Sequence, residues 1–148
     1  MEHKFQIIRI RLMEAHFAII HQYNWEKTEP IEFTHNIEIG YKQTNNDIHV
    51  LVSVSADSDN QPFRFSVACE GSFSFEEIPL KEELDRIARI YCAAIIYPYV
   101  RETVADLTRR ASMPPLNLAP FNFVSMYEER QKAASPVKPR KLRKNSKA

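Results

Sequence analysis

The sequence has few of the residues that build several common kinds of site. Among its 148 residues there are two glycines, Gly40 and Gly71, and two cysteines, Cys69 and Cys92. Phosphate-binding loops need several glycines, because backbone amides can wrap closely around a phosphate only where no Cβ intervenes. The commonest nucleotide-binding motifs are therefore excluded. The cysteines lack CxxC spacing, so we expect them to be reduced core residues.

Long hydrophobic runs are also missing. The longest apolar stretch, residues 90–97, has eight residues, whereas a membrane-spanning helix needs about 20. The first ten residues interrupt a short apolar stretch with charges and have no small-residue cleavage site, so they do not resemble a signal peptide. The sequence predicts a soluble, cytoplasmic protein.

No pattern typical of a catalytic or metal site is present. The five histidines are scattered, without HxH or HExxH spacing, and no serine stands in a GxSxG elbow. Acidic residues occur as neighbours along the chain, a spacing typical of solvated faces at helix ends. We therefore expect no metal, no cofactor and no enzymatic activity.

The charge that is present is distributed unevenly. Residues 131–148 hold seven Lys or Arg and no acid, which leaves 13 basic against 19 acidic residues, a balance of −6, in residues 1–130. The sequence predicts one domain over residues 1–133 and a disordered basic tail over residues 134–148. The tail is either an electrostatic arm for RNA, DNA, ribosomes or an acidic partner, or a solubilising extension.

Apolar residues alternate with a period of two in four segments, the pattern of strands that bury one face. In the first segment Ile8, Ile10 and Leu12 fall on one side, while Phe5 and Ile7 break the phase and predict a bulge. Connections rich in Asn and Asp favour a four-stranded antiparallel meander. The four segments are residues 5–18, 31–41, 48–56 and 63–75.

After Pro79 the apolar period changes to 3.6, which predicts helices. Pro98 should kink or restart the first helix, and Pro114 should end its continuation. A short helix should follow from about residue 124 to 133. The fold class is α+β: a four-stranded antiparallel sheet followed by a long broken helix and a short C-terminal helix. The first helical stripe comprises Leu84, Ile87, Ala88, Tyr91, Cys92 and Ile95.

This second layer is too small to cover all the apolar rows. A further segment, "SMPPLNLAPFNF" at residues 112–123, combines three prolines with five large apolar residues. It is too rich in proline for a helix and too apolar for an ordinary loop. Exposed apolar surface of this extent predicts pairing of subunits, binding of partners, or both.

The run from Tyr91 to Phe123 resembles the protein-export chaperone family SecB. Members carry a cysteine, an apolar helix interrupted at a "PY" step, and an "LNLAP" segment followed by "NF"; here these are Cys92, Pro98-Tyr99 and residues 114–123. The first strand, "FQIIRI", and Trp25 in the loop after it also match the family. The resemblance spans roughly residues 5–130.

The resemblance implies a homotetramer, built as a dimer of dimers, with helices packed between two outer sheets. It implies an ATP-independent holdase that captures unfolded polypeptides such as export preproteins along apolar grooves, without a cofactor. Each residue predicted to contact clients has the alternative of a core or subunit contact, which is favoured for Phe121 and Phe123 because large buried aromatics usually pack. The predicted client contacts are Tyr23, Trp25, Ile31, Phe33, Leu116, Leu118, Phe121 and Phe123.

The family meets the export ATPase SecA through acidic residues on the outer sheet face, and Glu14 matches one of them. Ala18 and Ser66 stand at the other two positions, Arg64 replaces an apolar neighbour, and the tail is basic. SecA is therefore a questionable partner. The resemblance also allows a chaperone dedicated to the antitoxin of a toxin-antitoxin system. A binding module of the same fold, tethered to RNA or ribosomes by the tail, is a further alternative.

Overall fold

The computed structural model describes residues 4–21, 23, 35–58 and 61–134. The order of elements confirms the predicted α+β class. Residues 31–34 of the predicted second strand and the tail from residue 135 lie outside the described residues. The elements are β1 (Phe5–Ile19), β2 (Asn36–Thr44), β3 (Asp47–Ala56), β4 (Phe63–Phe75), α1 (Lys81–Arg86), a π-helical segment (Ile87–Cys92), α2 (Ala93–Arg110) and α3 (Phe123–Ala134).

The four antiparallel strands lie in the order β1-β4-β3-β2. A simple meander was therefore the wrong prediction for β1, which pairs with β4 and not with β2. Alternation determines which face a strand buries, but it does not determine the neighbouring strand. Pairing with β4 places aromatic residues opposite one another at both ends of β1, where Phe5 faces Phe75 and Phe17 faces Phe65. Such cross-strand pairs stabilise a sheet.

Two bulges account for the broken alternation of β1. Register shifts follow Ile7 and Leu12, and each leaves one residue, Ile8 or Met13, without an opposite residue on β4. An extra residue reverses the phase of a strand, so Ile7 and Leu12 reach the same face despite their odd separation. The predicted bulge is confirmed. Placing Ile8 in one row with Ile10 and Leu12 was wrong, because Ile8 occupies the bulge itself.

The core lies between the helices and one face of β3 and β4. Ile48, Val50, Val52 and Phe73 from the strands and Ile96 from α2 have no measurable exposure. α2 packs mainly on β3 and β4 and touches β1 only slightly. β1 is therefore an edge strand that the helical layer of this chain leaves mostly uncovered.

The irregularity of the long helix, residues 81–110, precedes Pro98. Ile87–Cys92 is π-helical, and α2 continues through Pro98. The predicted restart at Pro98 was therefore wrong: Ile96 and Val100, which flank the proline, are both fully buried, and this packing outweighs one missing hydrogen bond. A π turn inserts an extra residue and rotates the rest of the helix about its axis. Tyr91, predicted in the buried stripe, is consequently 48% exposed.

Close approach of the helix to the sheet makes Gly71 sensitive to substitution. A Cβ at Gly71 would lie 2.8 Å from Phe73 Cε1 and 2.9 Å from two Ile96 carbons, whereas a Cβ at Gly40 would meet nothing within 4 Å. We expect Gly71→Ala to lower the free energy of unfolding by about 1–3 kcal/mol, because overpacking forces the core apart. Gly40→Ala is the matched control and should be neutral or slightly stabilising. Urea unfolding measures both, and equal effects would contradict this packing.

Candidate functional site

The chain leaves the long helix through an ordered cap. Ser112 has φ of 62°, and its amide donates to the carbonyl of Arg109 at 3.0 Å, while the Met113 amide donates to the carbonyl of Thr108 at 3.1 Å. This is the Schellman arrangement, which closes a helix with one left-handed residue. The backbone is thereby turned back along the helix from which it came.

Side chains of the long helix then hold the following segment, residues 113–122. Thr108 Oγ1 accepts from the amide of Leu116 at 2.9 Å. The guanidinium Nε of Arg101 donates to the carbonyl of Leu118 at 2.8 Å, and the Tyr97 hydroxyl donates to the carbonyl of Ala119 at 2.7 Å. A proline-rich segment cannot satisfy its own backbone by helix formation, and here the helix supplies the partners.

An aromatic cluster forms where this segment meets α3. The ring of Phe123 lies 5.5 Å from that of Tyr97 and 5.1 Å from that of Phe121. Phe123 is buried, whereas Phe121 is 37% exposed. The cluster thus has a packed base and an exposed outer ring, and burial raises the pKa of the Tyr97 hydroxyl.

A cleft of about 340 Å³ lies between the open edge of β2 and α3. Its apolar lining comes from Ile37 and Ile39 on β2 and from Met126 and Tyr127 on α3. Charged residues, among them Arg130, line the rest of it. The cleft can therefore receive an apolar side chain while its rim contacts charged or polar groups.

The side of the cleft toward the long helix is held by a polar network. Arg89 donates from Nε to Asp85 Oδ1 at 2.9 Å and from a terminal nitrogen to the carbonyl of Ile39 at 2.8 Å. The Tyr41 hydroxyl donates to the same carboxylate oxygen at 3.1 Å. The Ile39 carbonyl accepts from the Arg89 side chain on the long helix, so it points away from β3. Because the direction of the backbone polar groups alternates along an antiparallel strand, those of Ile37 point the same way. The cleft therefore adjoins an open strand edge.

The network predicts a dependence of stability on alkaline pH. Burial and the hydrogen bond to Asp85 raise the pKa of Tyr41 to about 12, so the folded state holds this proton more tightly than the unfolded state. The stabilisation is complete below about pH 10 and is lost as the pH rises toward 12. Solvent screening at this half-buried site limits this contribution to the free energy of unfolding to about 1 kcal/mol. Across this interval the free energy of unfolding of Tyr41→Phe should decline by about this amount less than that of the wild type, because Cys92 and Tyr97 also have raised pKa values. An identical decline in the two proteins would contradict the assignment.

Two further apolar surfaces lie outside the cleft. On β1, four large side chains are exposed by about half, namely Ile7, Ile8, Leu12 and Met13. On the outward side of the long helix, Tyr91 and Tyr99 are 48% and 49% exposed, and they lie about two turns apart along it. We call these the strand surface and the helix surface.

A shallower cavity of about 570 Å³ lies across β1, β4 and β3 near the end of β1. His16, Ala18, Arg64 and Ser66 contribute to its lining. Glu14 is exposed close by, with an oxygen 3.9 Å from His16 Nε2. Arg64 lies 3.6 Å from a carboxylate oxygen of Asp57. The region predicted to meet SecA thus contains a cation as well as the expected acid.

The predicted client residues differ in their accessibility. Leu118 and Phe123 are buried, Leu116 is half-buried and packs against the core, and Phe121 is exposed. Tyr23 is half-buried, and its amide donates to the carbonyl of Ile20 at 3.2 Å. Their contact with clients stays a prediction. The remaining three, Trp25, Ile31 and Phe33, lie outside the described residues.

The cleft residues were not predicted. Ile37 and Ile39 were assigned to a buried row, and nothing in the alternation distinguishes an edge strand from a central one. Met126 and Tyr127 belong to a short helix whose docking partner the sequence does not specify. The only available signal was the surplus of apolar residues over helical cover.

Two negative findings apply to the part of the chain that the structure describes. No group of three or more His, Cys, Asp and Glu residues could hold a metal ion there. Within the same residues, no helix combines the length and apolar character needed to cross a membrane.

Comparison with known proteins assigns the family. The model of the family described as "Preprotein translocase subunit SecB" matches residues 3–134. Protein-export protein SecB of Neisseria meningitidis is 37% identical over 97 residues, 66% of this chain and 64% of that protein. The chain thus spans just under two thirds of the length of the first relatives it matches. Protein-export protein SecB of Bartonella bacilliformis is 30% identical over 116 residues, 77% of this chain and 72% of that protein.

A solved structure supports the same assignment. The SecB-like chaperone of Mycobacterium tuberculosis, in complex with a ChAD peptide from the HigA1 antitoxin, superposes with a TM-score of 0.67 at 25% identity. The similarity covers 78% of this chain and 89% of that one. The resemblance noted from Tyr91 to Phe123 is confirmed, and the chain belongs to the SecB family.

Proposed function

We propose that the protein is an ATP-independent holdase of the cytoplasm that keeps unfolded polypeptides, including precursors for export, from aggregating. The observation that carries this proposal is the apolar cleft beside the open edge of β2, on an ordered scaffold. Membership of the SecB family supports it. No chemical step is required, because holding needs only surface that an unfolded chain can occupy.

The physical basis is the sum of two kinds of contact. An extended client can pair its backbone with Ile37 at the open edge, as strands add to exposed sheets elsewhere, whereas the Ile39 carbonyl already accepts from Arg89. The client's apolar side chains then enter the cleft against Met126 and Tyr127. At about 25 cal/mol per Å², burying one aromatic side chain of roughly 150 Å² contributes up to about 4 kcal/mol before ordering costs. Several such contacts give useful but reversible affinity.

The proposal includes a homotetramer arranged as a dimer of dimers. Two separate apolar surfaces support it, the strand surface on β1 and the helix surface at Tyr91 and Tyr99. An assembly of this symmetry needs two kinds of contact between subunits. The strand surface also lies where the helices of the same chain provide little cover, so a second subunit can bury it.

The second candidate function is that of a chaperone dedicated to a single antitoxin. The supporting observation is the similarity to the mycobacterial SecB-like chaperone that was solved with an antitoxin peptide. Glu14 offers one acidic contact for SecA, whereas Arg64 is a cation that would weaken such an interface. The two roles differ in their clients, which would be many for export and one for an antitoxin.

Mass spectrometry of polypeptides that co-purify from the native host tests the proposal and separates the two roles. Holding for export should enrich many secretory precursors, and service to an antitoxin should enrich one DNA-binding protein. Polypeptides recovered with Met126→Asp, which places a charge in the cleft, are the reference against which recovery with wild type is compared. Equal recovery of polypeptides with wild type and Met126→Asp would reject the cleft as the holding surface.

A further inference from the structure

Arg89 closes one position of the open edge of β2. A terminal nitrogen of its guanidinium donates to the carbonyl of Ile39 at 2.8 Å. In an added strand, a backbone amide nitrogen would stand about 2.9 Å from the same oxygen, so the guanidinium occupies the place of that donor. Two residues earlier, the backbone of Ile37 points the same way, and among the described residues no side chain donates to its carbonyl. The edge is therefore open at Ile37 and closed at Ile39.

The guanidinium is fixed in this position. Its Nε donates to Asp85 Oδ1 at 2.9 Å, and the Tyr41 hydroxyl donates to the same oxygen at 3.1 Å. The Arg89 Cζ also lies 5.6 Å from the centre of the Tyr41 ring, and the side chain is only 14% exposed. A client that displaced the guanidinium would leave the partly buried Asp85 carboxylate without its cation, which is unfavourable. Arg89 should therefore stay in place when a client binds.

We propose, on the basis of the holdase function described above, that Arg89 is a stop that ends the pairing of a client strand on β2. The client would pair with Ile37 and leave the edge before Ile39, while its apolar side chains occupy the cleft. Arg89 is then a specificity-determining residue for the number of backbone pairs and not for the identity of the client side chains. Clients of unrelated sequence would thus be bound through the same short backbone contact.

The stop has a consequence for release of the client. An edge strand that can pair along its whole length also accepts a second copy of the chain or an aggregating polypeptide. Each pair of backbone hydrogen bonds adds to affinity, and differences in affinity between related complexes lie mostly in the dissociation rate. A client held by few backbone pairs therefore dissociates faster. The stop favours reversible holding over permanent addition of a strand.

Arg101 offers a matched control in the same long helix. It also donates to a backbone carbonyl at 2.8 Å, that of Leu118. Its Cζ likewise lies over a tyrosine ring, 5.9 Å from the centre of Tyr97. The Leu118 carbonyl belongs to the segment 113–122 and not to a sheet edge. Arg101→Met therefore removes the same kinds of contact as Arg89→Met without opening an edge.

The test uses the full chain and a protein kept unfolded by reduction and carboxymethylation of its cysteines. Hydrogen exchange, resolved to single amides by mass spectrometry, is measured at Ile37 and Ile39 with and without this client. At a client concentration about ten times Kd, exchange of a protected amide slows about tenfold. In the wild type we expect this slowing at Ile37 and an unchanged rate at Ile39.

Arg89→Met should extend the protected stretch. With the Ile39 carbonyl free, the client can form one more pair of hydrogen bonds, so the amide of Ile39 should also exchange about tenfold more slowly. The client should bind about tenfold more tightly. Arg101→Met should keep the wild-type pattern, with slowing at Ile37 alone. The double variant Arg89→Met/Asp85→Asn, which leaves no carboxylate without its cation, replaces Arg89→Met if circular dichroism shows that the single variant does not fold.

Equal slowing at both amides, or at neither, in wild type that binds the unfolded protein would overturn the stop and leave the holdase function intact. An unprotected Ile39 amide and unchanged affinity in the Arg89 variants would also overturn it. So would protection of Ile39 in Arg101→Met, since the effect would then come from a general loosening of the helix. Wild type that does not bind the unfolded protein at all would reject the holdase function, and the stop with it.

Discussion

Leu12→Lys is expected to halve the mass of the assembly. Leu12 is 52% exposed on an edge strand that the helices of its own chain leave uncovered. A lysine there would have to lose its hydration to be buried against a second subunit, and an uncompensated buried charge is strongly unfavourable. The mass of the assembly measured by light scattering should therefore fall from that of about four chains to that of about two.

The chain offers a matched control for this substitution. Leu80→Lys makes the same change at a leucine that is 84% exposed and lies before α1, outside both apolar surfaces. It should leave the mass unchanged. Tyr99→Lys should also give about two chains by disrupting the helix surface, and the double variant should be monomeric. Dissociation by Leu80→Lys, or an intact tetramer with Leu12→Lys, would contradict the assignment of the strand surface.

Met126→Asp is expected to weaken binding of unfolded polypeptide by at least tenfold while the oligomer stays intact. Met126 lines the apolar cleft with Ile37 and Ile39, and a carboxylate there would be desolvated by any client side chain that entered. The loss of one buried apolar contact and the cost of desolvating the carboxylate both weaken the binding of the client. Isothermal titration with a chemically unfolded precursor measures the change.

Val124→Asp is the corresponding control within the same helix. Val124 is 45% exposed and does not line the cleft, so this variant should bind clients nearly as wild type does. Phe121→Ser tests a client contact that was predicted from the sequence, because Phe121 is the exposed ring of the aromatic cluster. Equal losses for Val124→Asp and Met126→Asp would show that charge on α3, and not the cleft, governs binding.

The sequence predicted the elements well because each depends on local spacing. Alternation in residues 48–56 and 63–75 corresponds to β3 and β4 within one residue. These two strands are covered by the helices on one face, so their apolar rows are unambiguous. The segment 112–123 was singled out by composition alone, and the structure explains it: Thr108, Tyr97 and Arg101 supply the backbone partners that its prolines deny it.

The features that could not be predicted depend on tertiary neighbours. The position of β1 beside β4 arises from a pairing that alternation does not encode, and it makes both β1 and β2 edge strands. Because of the π turn at Ile87–Cys92, Ile90 lies on the buried side of the helix and Tyr91 does not; Ile90 is 5% exposed. The helix and strand surfaces and the cleft all arise from these two features. The cleft was therefore visible in the sequence only as a surplus of apolar residues over the helices available to cover them.

The assembled chain is expected to hold unfolded polypeptide without an energy source. The most direct measurement is light scattering from an aggregating, chemically unfolded precursor in the presence of stoichiometric protein, with and without ATP. We expect full suppression by wild type, no change on adding ATP, and clearly weaker suppression by Met126→Asp at unchanged oligomeric mass. Aggregation that proceeds equally with and without the wild-type protein would contradict it.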